Sequence, residues 1–414
     1  MRIGLLHYSG PPTVGGVEQT LYHHSRALTR LGHYTRLIVG QGQPYDQRIP
    51  VEVISELYSK HPAVLAVKAE LDRGRCRDRF NALRTVIETQ LQAAIEGLDV
   101  LIVHNAMTLH KNLALTAALW NLHTSKKAPP LVGWHHDFAW DREEYQEELK
   151  DEFPWDLLRK PWPGATNVVV SRAQRARLAK LYALDPADIR VIPPGIDPSV
   201  IGSWTDMTRR IVAEYDLLQA DAVLLLPARI THRKNIELAL QVLAELRSIS
   251  SQDVRLIVTG PPGPHNPANA TYLDQLLSQR RTLELTACAH FLYERHSRSE
   301  PRVDRATMAN LYALSDALLF PSLQEGFGIP LLQAGFTRLP IYCSDIEPFH
   351  ESVEDGAHFF SLQDSPKSVA KLIADTLLTS ATFLLRRDVR RKYPWEIIVS
   401  SSMIPMLESV RDGR

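Results

Sequence analysis

The chain has 414 residues, 44% of them hydrophobic, with Lys+Arg and Asp+Glu each totalling 47. That length is too great for one ordinary core and predicts about two to three domains. The zero formal charge leaves no global field that would advertise nucleic acid or an anionic surface as partner. Cys76, Cys288 and Cys343 are far apart, odd in number and free of metal-ligand spacing, which suits a reducing cytosol better than secretion and predicts buried thiols. The first residues enter an apolar strand pattern with no signal-peptide cleavage pattern, and no apolar run reaches membrane-spanning length. The expectation is a cytoplasmic protein, with peripheral contact at the inner membrane face left open.

Arg2 to His7 reads as a buried strand, followed by a Gly- and Pro-rich loop to Gly16 and a helix from Val17 to about Leu31. Thr35 to Gly40 supplies the next strand, so doubly wound α/β topology is the simplest expectation. The loop lacks the Gly-x-Gly-x-x-Gly dinucleotide pattern, and by themselves Gly15-Gly16 fit a strand-to-helix turn that needs glycine for backbone reasons. Pro62 to Gly97 is helical in pattern, and Asp99 to His104 is a strand that places His104 and Asn105 at its carboxyl end, where open α/β sheets bind ligands. Leu131 to Trp140 contains a strand running into His135-His136-Asp137. Adjacent imidazoles on an extended chain face opposite ways, so a metal site has little support, while a structural histidine remains open. Asp141 to Leu158 reads as an acidic, aromatic, loosely helical insertion, either an acceptor-binding rim or an irregular surface loop. Asn167 to Val170 is a strand, and Ser171 caps the helix Arg172 to Ala183.

Val191 to Pro198 is a short strand and a stiff Pro-rich turn, taken as the domain boundary. The α/β pattern then restarts with strands at Ala222 to Pro227, Arg255 to Gly260, His290 to Leu292 and Ala317 to Phe320. Helices are predicted at Ile236 to Ser248, Thr271 to Leu285 and Met308 to Leu314. Arg229, Arg233 and Lys234 follow the first of these strands and can clamp an anion or form a basic solvated loop. Because cations at a helix start oppose its dipole, they demand a local reason. Thr259 to Pro267 is a tight loop in which Gly260 permits either close ligand approach or a structural turn.

Phe320 to Ala334 reads as strand, loop and helix, with Gly326 and Gly328 at a helix entrance whose first amides lack intrahelical partners, a natural phosphate seat. Glu325, just before it, suits hydroxyl groups, and Gln333 lies about two turns on. An ordinary helix with an acidic cap region fits the same residues. This segment resembles the signature of retaining glycosyltransferases of the GT-B fold, family four, in which a second glutamate stands where this chain has Gln333. Gly15-Gly16-Val17-Glu18, His136-Asp137, the Pro-rich linker and the Ser344 to Glu351 segment resemble further parts of that family.

The resemblance implies two facing Rossmann-like domains with a cleft. One comprises residues 1–194 joined by a C-terminal helix at 391–414, and the other, at 195–390, binds the nucleotide sugar. It implies transfer of a sugar from a nucleotide diphosphate sugar to a hydroxyl acceptor, with retention and with neither metal nor resident cofactor. By resemblance Arg229 and Lys234 stabilise the leaving diphosphate, Glu325 orients the sugar, and Gln333 holds the ribose. Likewise His136 meets the sugar's edge, while Gly15, Gly16, Gly260 and the Gly326, Phe327, Gly328 and Ile329 amides approach the donor. The rival readings are a non-catalytic nucleotide-sugar binder, motivated by Gln333, and a nucleotide-sugar 2-epimerase.

Overall fold

The computed structural model describes residues 1–74, 77–263, 268–295 and 303–413, so Cys76 and the 264–267 end of the Gly260 loop lie outside the described residues. The chain forms two compact units, Met1–Ile196 with Tyr393–Arg414, and Asp197–Lys392. Each crossing falls two residues beyond the position expected from the sequence.

The first unit holds a parallel sheet of seven strands: β1 (Arg2–His7), β2 (Tyr34–Val39), β3 (Val51–Val53), β4 (Val100–His104), β5 (Leu131–His135), β6 (Thr166–Val169) and β7 (Ile189–Val191). Their order is β3-β2-β1-β4-β5-β6-β7. Alternate residues of the central strands supply two separate cores, as a pleat with both faces covered requires. Leu6, Ile38, Leu101, Val103 and Leu131 pack under the helices Pro62–Asp72, Asp78–Ala94 and Leu113–Thr124. Ile3, Leu5, Leu37, Val39, Ile102 and Trp134 pack under the helix Gly16–Arg30 and the C-terminal residues Ile398, Val399, Met403, Met406 and Leu407. The C-terminal segment is thus part of this unit's core. It runs through the helix Trp395–Ile398, a π-helical turn at Val399–Met403 and the helix Ile404–Arg411.

The second unit carries β8 (Ala222–Leu226), β9 (Val254–Val258), β10 (Ala289–Phe291), β11 (Ala317–Phe320), β12 (Ile341–Ser344) and β13 (His358–Phe360) in a six-stranded parallel sheet ordered β10-β9-β8-β11-β12-β13. Its core is continuous, running from Ile211 through the strands to Ile373 and Phe383. Buried Asp316 anchors the last helix of this unit: its Oδ2 accepts from Val223 N at 2.8 Å and from Arg390 Nη1 at 2.7 Å.

Several elements differ from the sequence reading. Leu113–Thr124 was not expected as a helix because it is buried on nearly every face and shows no amphipathic period. The 141–158 insertion forms 3-10 turns rather than a loose helix. It is not an irregular surface loop either, since Trp155, Leu157 and Leu158 join the core and Glu148 pairs with Lys68 at 2.6 Å and His110 at 2.9 Å. Cys288 and Cys343 are buried free thiols. Among the described residues no single helix is long and apolar enough to cross a membrane. One helix pair, Pro366–Thr376 with Ala381–Lys392, meets that length and composition only across an 84° bend, and its Val369, Ile373 and Phe383 are buried in the second core.

Candidate active site

The second sheet reverses direction between β8 and β11, the place where open α/β sheets form ligand crevices at their strand carboxyl ends. The loops that follow these two strands are tied together: Leu323 N donates to Arg233 O at 2.8 Å. A 3-10 turn at His232–Lys234, ended by Asn235 at φ 52°, turns the cations away from the start of helix Ile236–Ser250 and toward Glu325. Lys234 Nζ donates to Glu325 Oε1, Arg233 Nη1 to Oε2 at 3.1 Å, and Ser322 Oγ to Oε1 at 2.9 Å. This carboxylate is the local reason that basic residues at a helix start demanded.

Lys234 and Glu325 side chains are 9% and 10% exposed, so the pair is nearly dry. Lys234 Nζ also lies 4.6 Å from the Phe320 ring centroid. Burial lowers the Lys234 pKa, and Glu325 opposes that fall. Arg233 shares Glu325 with Lys234. Exposed Arg229 forms no ion pair among the described residues, so its guanidinium is available to an anion. A carboxylate offers roughly four acceptor positions. Three are taken here, and capacity remains on Oε2 for a hydroxyl.

After Glu325 the chain passes through Gly326 and Phe327 to Gly328, whose φ of 106° is the left-handed conformation that glycine adopts without strain. A Cβ there would stand 2.9 Å from the Phe349 ring, and Ser352 Oγ donates to Phe327 O, so the helix Glu347–Val353 braces the turn from below. Among the described residues none of the amides of Gly326, Phe327, Gly328 and Ile329 has a hydrogen-bond acceptor. Such a run of unpaired N–H groups at a helix start favours an anion. Gln333, on the same helix (Ile329–Phe336), is exposed. Gly260 faces the protein itself: a Cβ would meet Ala228 O at 2.2 Å, and Gly260 N donates to that oxygen at 3.1 Å. Its smallness lets the β9 loop pack on the segment that carries Arg229.

In the first unit the direction change lies between β1 and β4, and the strand ends there carry His7 and His104, with His136 just beyond β5. His136 is held at three points. Its N donates to Asn105 Oδ1 at 2.7 Å, its O accepts from Gln174 Nε2 at 2.6 Å, and its Nε2 lies 3.2 Å from His104 Nδ1. Asn105 adopts φ 60° to make this contact. His135 points the other way, as expected, with Nε2 3.0 Å from Asn167 Oδ1 and Nδ1 3.3 Å from Thr108 Oγ1. Burial, the largest cause in each case, lowers the pKa of His7 and His135 to about 4 and of His136 to about 3, so these rings are neutral at pH 7. Asp137 is paired with Arg142.

Gly15 and Gly16 stand at the start of helix Gly16–Arg30, but the Glu18 carboxylate, held by Ser9 Oγ at 2.5 Å, lies against Gly15. A carboxylate at that helix start suits the helix dipole and makes the turn a poor seat for an anion. Sequence reasoning missed the supporting roles of His7, Gln174 and Ser322. The signal for His7 was its position at a strand's carboxyl end, the same rule that singled out His104. Gln174 carried none. Among the described residues no three His, Cys, Asp or Glu side chains gather as a metal site.

Residues 14–200 match the model of Glycosyltransferase Family 4, and residues 208–392 match that of Glycosyl transferases group 1. Over 380 residues the chain is 26% identical to the mannosylglucosylglycerate synthase of Petrotoga mobilis, covering 84% of this chain and 85% of that protein. It is 31% identical to the D-inositol 3-phosphate glycosyltransferase of Kineococcus radiotolerans over 191 residues, 45% of this chain and 41% of that one. The sucrose-phosphate synthase structure from Thermosynechococcus elongatus aligns over the full length of both chains at 15% identity and a TM-score of 0.42. With its two parallel-sheet units and family matches running from residue 14 to residue 392, the chain belongs to the group 1, family 4 glycosyltransferases of GT-B fold.

Proposed function

We propose that this glycosyltransferase moves a sugar from a nucleotide diphosphate sugar to a hydroxyl acceptor with retention of configuration and without a divalent metal. The observation that carries the reading is the placement, at the carboxyl ends of the adjacent strands β8 and β11, of Arg229, Arg233 and Lys234 after one strand and of four amides without acceptors among the described residues, Gly326 to Ile329, after the other, with Arg233 and Lys234 tied to the second loop through Glu325. Breaking the glycosidic bond builds negative charge on the departing diphosphate, and donors already in place stabilise it without reorganising. Glu325 neutralises one of the three cations and keeps an acceptor position on Oε2 for a sugar hydroxyl. In this front-face reading the leaving phosphate takes the acceptor's proton, and no carboxylate among the described residues is assigned as a covalent nucleophile. The names of two relatives, which carry glycerate and inositol phosphate, favour a small polar acceptor.

The test is a thermal-shift screen of uridine and guanosine diphosphate sugars, followed by mass analysis of products formed with glycerate- and inositol-type acceptors in EDTA. Arg229→Ala should lower turnover by about 10²-fold or more, the scale of losing one preorganised donor. Near-normal turnover removes Arg229 from the reaction, and dependence on added divalent metal removes the proposed electrostatic mechanism.

A further inference from the structure

The two ring nitrogens of His136 are not equivalent. A neutral imidazole has one N–H and one lone pair, and the partner of one nitrogen decides the role of the other. Three histidines at the carboxyl ends of adjacent strands are linked in series. His7 Nδ1 lies 3.0 Å from the carbonyl oxygen of His104, and His104 Nδ1 lies 3.2 Å from His136 Nε2.

Hydrogen bonding fixes the protons along this series. A carbonyl only accepts, so His7 carries its proton on Nδ1 and keeps a lone pair on Nε2. The His104 Nε2 atom is sealed from solvent and has no partner. A buried N–H without an acceptor is rarer and less tolerated than an under-used acceptor, which puts the His104 proton on Nδ1. His104 then donates to His136 Nε2, and the His136 proton resides on Nδ1. Neither His136 Nδ1 nor His7 Nε2 has a partner among the described residues, and neither is sealed from solvent.

We infer that the His104 ring is a positioning group that fixes the polarity of His136, which presents a hydrogen-bond donor through Nδ1–H, while the main-chain carbonyl of the same residue holds His7 with its acceptor at Nε2. A hydroxyl-bearing ligand satisfies either group, since a hydroxyl oxygen accepts from the His136 Nδ1–H and a hydroxyl donates to His7 Nε2. His136 is then a fixed donor toward a sugar or acceptor oxygen and cannot take a proton from it. Asn105 and Gln174 serve the same end by clamping the His136 backbone on both sides. The inference rests on the proposed site for its ligand class, while the proton assignments stand on this unit's geometry alone.

The experiment is two-bond ¹H–¹⁵N spectroscopy of the full chain labelled with ¹⁵N-histidine, at pH 7.5 and without substrate. The expected spectrum shows protonated Nδ1 and unprotonated Nε2 for both His136 and His7. His104→Phe removes the donor and should shift His136 toward the Nε2–H form. His104→Asn, whose amide nitrogen stands near the place of Nδ1, should keep the Nδ1–H form. Titrating glucose as a hydroxyl probe should move the His136 Nδ1 and His7 Nε2 signals in the wild-type chain. A His136 ring protonated on Nε2 in the wild type, a tautomer unchanged in a folded His104→Phe chain, or no response to glucose at saturating levels overturns the inference. Should His104→Phe fail to fold, the wild-type and His104→Asn spectra still decide. Because the proton assignments need no turnover, an inactive chain with the expected tautomers would count against the proposed reaction and not against this arrangement.

Discussion

Replacing Lys234 by Met keeps the length and packing of the side chain beside Phe320 and removes its charge. The cost follows from what remains around Glu325. Breaking a buried ion pair by losing one partner typically costs about 3–5 kcal/mol, because the other charge is left desolvated. Glu325 is 10% exposed but keeps Arg233 at 3.1 Å and Ser322 at 2.9 Å, and these partners absorb part of that penalty. The net loss should be about 2–3 kcal/mol. For a domain of 150–250 residues this lowers the unfolding midpoint by roughly 4–12 °C. In the Lys234→Met background, Glu325→Gln removes the uncompensated charge and should recover more than half of the loss. Differential scanning calorimetry of the wild type, both single variants and the double variant completes the cycle. The salt dependence should be weak, since the pair is shielded from bulk ions. Strictly additive single effects would show that Lys234 and Glu325 do not act as a pair and would remove the basis for placing Glu325 in the site.

Acid should weaken the first unit well before carboxylates protonate. His135, with its folded pKa lowered to about 4 against an unfolded value of about 6.5, contributes stability that is fully present above 6.5 and lost as pH falls from there toward 4, on the order of 3 kcal/mol at most. Urea midpoints measured between pH 7.5 and 4.5 should fall steadily, and His135→Gln should flatten the slope; an unchanged slope would mean that this ring is not the titrating group. Gly260→Ala should cost about 1–3 kcal/mol, because the new methyl meets backbone at 2.2 Å, and should weaken donor binding by displacing the Arg229 segment. Calorimetry and uridine diphosphate titration check both effects, and wild-type values in each would contradict the packing described. Trp395→Ala should cost about 3–5 kcal/mol and expose the C-terminal segment to protease, since the indole packs on Gly195 and stacks on His23 at 5.0 Å. A digestion pattern like that of the wild type would refute this role.

The parallel sheets were legible because their strands are short apolar runs ending at Gly, Pro or polar residues, as at Phe320-Pro321 and Leu226-Pro227. The edge strands Val51–Val53 and His358–Phe360 left no such pattern, and Leu113–Thr124 hid its helix by being buried nearly all round. The candidate site divides in the same way. Glu325, Gly328 and Lys234 could be read from local chemistry, because an acidic residue before a glycine turn and cations before a helix both break ordinary preferences. That Lys234 and Glu325 hold each other could not be read, because 91 residues separate them and only the β8–β11 adjacency brings them together. For Gly260 the sequence left close ligand approach and a structural turn equally open, and it could not show that the neighbour is Ala228.

The bridge between Ile196 and Pro394, with Ile196 N donating to Tyr393 O at 2.8 Å, means that the polypeptide departs from the first unit and rejoins it at one spot. The whole of Asp197–Lys392 is therefore, topologically, an insert within the other unit. On a ribosome the order of completion is inverted. The insert has all its strands available while the earlier sheet still lacks Ile398, Met403 and Leu407 over one face, so the half that is translated first is sealed last. A nascent chain stalled before Tyr393 would present Trp134, Leu5 and Ile102 as a sticky surface, a stage at which chaperone capture and premature proteolysis would concentrate.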